Sequence, residues 1–215
     1  MKVVEQRLEH TPVVPLVQAD DPAVAVRVAH ALVAGGLTVI EVVFRTDAAL
    51  ACLEAVGREV PEAVVGAGTV LTEAQARAAA DAGARFIVSP GLDEAVVSVA
   101  RERDLPAFPG VVTATELQRA YNLGLRTVKF FPASAAGGIP TLKALAAPFR
   151  EMRFMPTGGV SAANLADWLA LPQVVACGGS WLTPAAAIAA GEYSTITNLA
   201  AEACRIAASG GSRNG

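Results

Sequence analysis

Lys129 lies in the run Thr127-Val128-Lys129-Phe130-Phe131-Pro132, surrounded by residues that belong in a core. Lysine is seldom fully buried. If Val128 and Phe130 pack outward against helices, strand alternation turns Lys129 the other way, among aromatic and aliphatic neighbours. Desolvation there disfavours the ammonium form and leaves a free amine, the nucleophile that a Schiff base with a carbonyl requires. The bland alternatives are a stem that packs while its head escapes at a rim, or a lysine that merely pairs a carboxylate. A second run, Ile40-Glu41-Val42-Val43-Phe44-Arg45-Thr46, puts Val39, Glu41, Val43 and Arg45 on one parity and Ile40, Val42 and Phe44 on the other. Glu41 would then share an interior with Lys129 and could relay the protons that carbinolamine dehydration and aldol cleavage need. The alternative for Glu41 is a purely structural ion pair, which would add little net stability.

Arg45 follows about 13 Å further up the same strand, near its end. A guanidinium there can take a carboxylate in two parallel hydrogen bonds, as recognition of a 2-keto acid would require; a surface salt bridge is the other explanation. Thr69, after Gly66-Ala67-Gly68, adds a hydroxyl and backbone N–H groups at a similar height. Two glycine pairs, Gly158-Gly159 and Gly178-Gly179, follow the seventh and eighth strand candidates, the second leading into Ser180. In barrels, the loops after these strands often hold a phosphate, although glycine pairs are also ordinary turn residues. Only His10 and His30 are present, neither beside carboxylates at a strand end, so no catalytic metal is expected. No nucleophile elbow or P-loop pattern occurs.

The elements that would position these groups alternate. Short apolar runs stand at Val13 to Val17, Thr38 to Phe44, Ala63 to Ala67, Phe86 to Val88, Ala107 to Phe108, Thr127 to Phe131, Arg153 to Met155 and Val174 to Cys177. Between them, helical patterns run over Pro22 to Ala34, Ala48 to Val60, Glu73 to Ala82, Asp93 to Arg103 and Thr115 to Leu123, several closed by Gly35, Gly83 or Gly124. The repeat of roughly 20 to 27 residues is the size of one βα unit with short loops. Eight such units predict one α/β domain over residues 1–215, a (β/α)8 TIM barrel, with a doubly wound open sheet as the alternative. Residues 209–215, rich in Gly and Ser, are expected to form a flexible tail.

A chain of 215 residues, 53% hydrophobic and with a net charge of -3, can bury a large core and carries no broad basic field. Nucleic acid and anionic membranes are therefore not expected partners. No stretch approaches the roughly 18 to 20 apolar residues of a membrane span, and Met1 to His10 lack the layout of a secretory signal. Cys52, Cys177 and Cys204 lie far apart in no metal-like spacing and are expected to be buried thiols in a reducing, cytoplasmic compartment.

Several segments together resemble the 2-keto-3-deoxy-6-phosphogluconate (KDPG) aldolase family, class I aldolases of the Entner–Doudoroff pathway. They are Pro12-Val13-Val14-Pro15, Ala31-Leu32-Val33-Ala34-Gly35-Gly36, Ile40 to Thr46, Val65-Gly66-Ala67-Gly68-Thr69-Val70-Leu71, Ser89-Pro90-Gly91, Lys129-Phe130-Phe131-Pro132-Ala133, Met155-Pro156-Thr157-Gly158-Gly159 and Gly178-Gly179-Ser180-Trp181-Leu182. The resemblance covers roughly His10 to Arg205. It implies a lyase that forms a Schiff base on Lys129 with Glu41 as acid/base, binds the keto-acid carboxylate through Arg45 and Thr69 and phosphate through Gly158, Gly159 and Ser180, and needs no added cofactor. Pro90, Phe131, Thr157, Gly178 and Gly179 are expected to line the same substrate site. The implied partner is a phosphorylated 2-keto acid cleaved to pyruvate and glyceraldehyde 3-phosphate, and the implied assembly is a homotrimer. Arg45, Thr157 and the Gly-Ser-Trp run favour the gluconate substrate over its galactonate epimer. Val17-Gln18 stands where some relatives carry an arginine, which leaves 4-hydroxy-2-oxoglutarate open as a substrate. The remaining alternatives are a phosphate-binding barrel isomerase, with Glu41 as proton-transfer base and Lys129 as electrostatic clamp, and a barrel that binds a sugar phosphate without turnover.

Overall fold

The computed structural model describes residues 2–210. Helix α1 (Lys2–His10) precedes strand β1 (Val13–Val17), followed by α2 (Pro22–Ala34), β2 (Val39–Val43), α3 (Ala49–Glu59) and β3 (Val64–Gly68). Next come α4 (Glu73–Asp81), β4 (Ile87–Ser89), α5 (Glu94–Glu102), β5 (Ala107–Val111), α6 (Ala114–Asn122) and β6 (Thr127–Phe130). The chain closes with α7 (Gly138–Ala146), β7 (Arg153–Pro156), α8 (Leu165–Leu169), β8 (Cys177–Gly179), α9 (Ala185–Ala190) and α10 (Tyr193–Gly210). No helix among the described residues is long and apolar enough to cross a membrane.

Helix starts follow local chemistry. Asp21 accepts from the N–H of Ala23 with Pro22 at the first position of α2, and Thr72 and Asp93 cap α4 and α5 in the same manner. Thr113 and Glu116 form a reciprocal capping box on α6.

The strands pair in parallel in the order β7-β6-β5-β4-β3-β2-β1-β8, and bridges from Phe154 to Val174 and from Thr157 to Gly178 join the two ends. The result is the (β/α)8 barrel that the eight-fold alternation predicts. Alternate side chains then sort into two cores. Ile40, Val42, Val65, Val128 and Phe130 pack outward against the helices. Val14, Val39, Val64, Val88 and Met155 fill the lower interior, with Phe86 and Phe108 in a tilted ring contact at 6.1 Å.

Three features differ from the sequence-based expectation. α1, which is not among the helical patterns read from the sequence, folds under the barrel and inserts Val4 and Leu8, four residues apart, into the inner core. The eighth strand begins at Cys177, three residues later than the apolar run, and takes up Gly178 and Gly179, which pair with Val14 and Pro15. That glycine pair is therefore barrel wall and not loop, because the backbone pairing of a parallel strand needs no side chain. Finally, α10 extends to Gly210, so Ser209 and Gly210 belong to a helix; the remainder of the expected tail, 211–215, lies outside the described residues.

Candidate active site

Among the described residues, the buried polar or charged side chains are Glu41, Ser89, Lys129 and Thr157. Lys129 is 4% exposed and Glu41 is 0% exposed, an arrangement that packing alone would not select. The inward parity follows from the outward packing of their neighbours, Val128 and Phe130 on β6 and Ile40 and Val42 on β2. Nζ of Lys129 donates to Oε1 of Glu41 at 3.3 Å and lies 5.3 Å from the ring centroid of Phe131. The other carboxylate oxygen, Oε2, is buried with no hydrogen-bond partner. A buried polar atom left open in this way marks a place where a further donor fits.

Thr157 stands two residues beyond Met155, which is in register with Lys129, so its side chain shares the interior parity just above the lysine. Its Oγ1 donates to Met155 O at 3.4 Å, and the bridge to Gly178 places it against a strand without a side chain. Gly158 and Gly159 follow with φ of 94° and 80°, values in the left-handed region where a β-carbon is disfavoured. Ser134 packs on Gly159, and its N–H donates to Gly158 O at 3.0 Å, which ties the loop after β6 to the loop after β7. Ser134 has no sequence signature beyond its place in the turn after Lys129-Phe130-Phe131-Pro132 and was not expected at the site.

Arg45 lies two residues past the end of β2, exposed at the mouth, with no carboxylate partner among the described residues. It lines a cleft of about 790 Å³ together with Ser180, Gln18 and Leu16. Thr46 Oγ1 donates to Ala19 O at 2.9 Å and fastens this wall to the loop after β1. Thr69 follows β3 directly with φ of 59°, a strained conformation for a threonine, and is half-buried. Pro90 follows β4, where the buried hydroxyl of Ser89 donates to Gly91 O at 2.7 Å. The expected residues thus divide into an interior group of Lys129, Glu41, Phe131 and Thr157 and a rim at the C-terminal ends of the strands. The rim has the Gly158-Gly159 turn on one flank and Ser180 with Arg45 on another.

A closed parallel barrel with a buried amine and carboxylate beneath this rim has the layout of a (β/α)8 enzyme, in which chemistry occupies the C-terminal face. The family model "Aldolase: KDPG and KHG aldolase" matches residues 4–199. The KHG/KDPG aldolase of Escherichia coli (strain K12) is 49% identical over 199 residues, covering 93% of each chain. The structure of the KDPG aldolase from Legionella pneumophila, with pyruvate captured at low pH as a covalent carbinolamine intermediate, superposes with a TM-score of 0.88. It is 39% identical and covers 92% of this chain and 96% of that one. The 2-keto-3-deoxy-6-phosphogluconate aldolase of Zymomonas mobilis ZM4 with 3-phosphoglycerate superposes with a TM-score of 0.87, at 41% identity over 96% of this chain and 97% of that one. The chain belongs to the KDPG and KHG aldolase family.

Proposed function

We propose that the protein cleaves 2-dehydro-3-deoxy-6-phosphogluconate to pyruvate and glyceraldehyde 3-phosphate through a Schiff base on Lys129. The observation that carries this reading is the 3.3 Å contact between the buried Lys129 amine and the Glu41 carboxylate, whose second oxygen has no partner. Lys129 and Glu41 share one proton: Glu41 holds it while the amine adds to the C2 carbonyl, then passes it to the carbinolamine hydroxyl, which leaves as water. The iminium withdraws the electron pair as the C3–C4 bond breaks, while the proton of the C4 hydroxyl passes to the Glu41 carboxylate. Glyceraldehyde 3-phosphate leaves; the enamine takes a proton at C3, and hydrolysis of the imine returns pyruvate and the free lysine.

Arg45 and Thr69 hold the keto-acid carboxylate, and Gly158, Gly159 and Ser180 receive the phosphate. Thr157, Phe131, Pro90, Gly178 and Gly179 wall the space between. The carbinolamine of the Legionella relative and the 3-phosphoglycerate with the Zymomonas relative support the two halves of this assignment. The name of the Escherichia coli relative, KHG/KDPG aldolase, favours 4-hydroxy-2-oxoglutarate as a second, unphosphorylated substrate. The family resemblance further supports one domain acting within a cytoplasmic homotrimer.

Borohydride reduction in the presence of pyruvate tests the mechanism. The expected result is an irreversible pyruvyl adduct on the peptide that contains Lys129, together with loss of cleavage. Unmodified protein that still releases pyruvate from the substrate would overturn it.

A further inference from the structure

The Glu41 carboxylate occupies its place because residue 68 on the neighbouring strand has no side chain. β3 presents Val64, Gly66 and Gly68 to the barrel interior, since Val64 joins the inner core while Val65 and Ala67 join the outer one. Glu41 is in register with Gly66 and Val43 with Gly68, so a Glu41 side chain leaning toward the mouth passes over Gly68. A methyl group at position 68 would overlap Oε1, Cγ and Cδ of Glu41. The backbone does not ask for glycine here, because the positive-φ residues of the chain do not include Gly68. A glycine inside a strand weakens it and contributes no packing, so its presence needs a local reason. For Gly66 that reason is the ring of Phe86, which lies against the α-carbon. For Gly68 it is the Glu41 side chain. Gly178 receives the Thr157 side chain in the same way, one β-strand from the glycine turn.

We propose that Gly68 is a positioning residue, the seat that holds the Glu41 carboxylate at hydrogen-bond distance from Lys129. The inference rests on the reading of Glu41 as the proton relay. A side chain at position 68 pushes Oε1 off its site and opens the 3.3 Å contact, while leaving Arg45, Ser180 and the Gly158-Gly159 turn in place.

The test compares Gly68→Ala in the full chain with Gly68→Ala in a Glu41→Ala background, reading steady-state cleavage, the rate of borohydride-trapped pyruvate adduct and the melting temperature. Alone, Gly68→Ala is expected to lower kcat at least about tenfold, within the range of a displaced acid/base group. KM is expected to stay within about twofold, and the trapping rate to fall in step with kcat. With the carboxylate removed, the methyl group has room, so the second substitution brings no further loss in trapping rate and no further drop in melting temperature. Wild-type kcat in Gly68→Ala, or an equal loss in both backgrounds, would overturn the proposal. Should Gly68→Ala alone not fold, recovery of folding in the Glu41→Ala background supports the seat and failure to recover refutes it. Wild-type turnover in Glu41→Gln would remove the acid/base reading itself. Loss of turnover in Glu41→Gln beside full activity in Gly68→Ala would overturn the positioning role alone.

Discussion

Lys129 and Glu41 meet at 3.3 Å across the barrel from β6 and β2, strands on opposite sides of the ring, although 88 residues separate them in the chain. Two polar groups withdrawn from water in this way contribute little to stability when compared with apolar residues of the same volume. Removing the members of the pair one at a time or together has separable consequences.

Lys129→Met leaves the buried Glu41 carboxyl group without its hydrogen-bond partner and is expected to cost about 1–3 kcal/mol. Combining it with Glu41→Leu restores most of that loss, because no buried polar group is left unpartnered. Urea unfolding measures both. A double variant that folds well and releases no pyruvate separates catalysis from stability; equal destabilisation in the single and double variants would show that the pair is structural.

Arg45 is exposed and free of a carboxylate partner among the described residues, so its guanidinium is available to an anionic substrate. Arg45→Ala is expected to lose about 1.5–3 kcal/mol of charge-assisted hydrogen bonding, seen as a KM raised roughly 10- to 100-fold. Arg45→Lys falls between the two, since it keeps the charge but not the fork. An unchanged KM in Arg45→Ala would remove this residue from the site.

Gly159 combines a φ of 80° with a close approach to Ser134, so Gly159→Ala meets both backbone strain and overlap. The backbone part costs about 1–2 kcal/mol. Kinetics should show a larger rise in KM for the phosphorylated substrate than for 4-hydroxy-2-oxoglutarate. Equal effects on the two would place the phosphate elsewhere.

Burial acts to raise the pKa of Glu116, but the N–H groups of Val112 and Thr113 and the Thr113 hydroxyl outweigh it and hold the carboxyl below its ordinary value. A depressed carboxyl stabilises the fold above its unfolded value, about 4.3 for glutamate, and that contribution is lost as the pH falls through the lower native one. Glu116→Ala should thus melt below the wild type at pH 7, and the gap should close in acid. A gap independent of pH would mean that the carboxylate charge plays no part in the cap.

Burial pushes the Cys177 thiol far above its ordinary range and raises Cys52 as well, with Asp21 and Asp20 adding to the latter. Both stay protonated at neutral pH and lack the thiolate that alkylation needs. Iodoacetamide is expected to spare them in the native protein and to label them in denaturant, as peptide mass mapping would read; rapid native labelling of Cys177 would contradict its burial in β8.

Much of this arrangement is written in local sequence. Outward-packing neighbours set the inward parity of Glu41 and Lys129, Asp21-Pro22 and Gly35 bound α2 at its observed ends, and eight apolar runs announce the barrel, because period and capping act within a few residues. What pairs with what is a different matter. The meeting of Lys129 with Glu41, the plug formed by α1, the entry of Gly178-Gly179 into a strand and the seat at Gly68 all depend on register and ring closure between distant segments. A side chain's face follows from its immediate neighbours, whereas the atoms it touches are chosen only when remote strands come together.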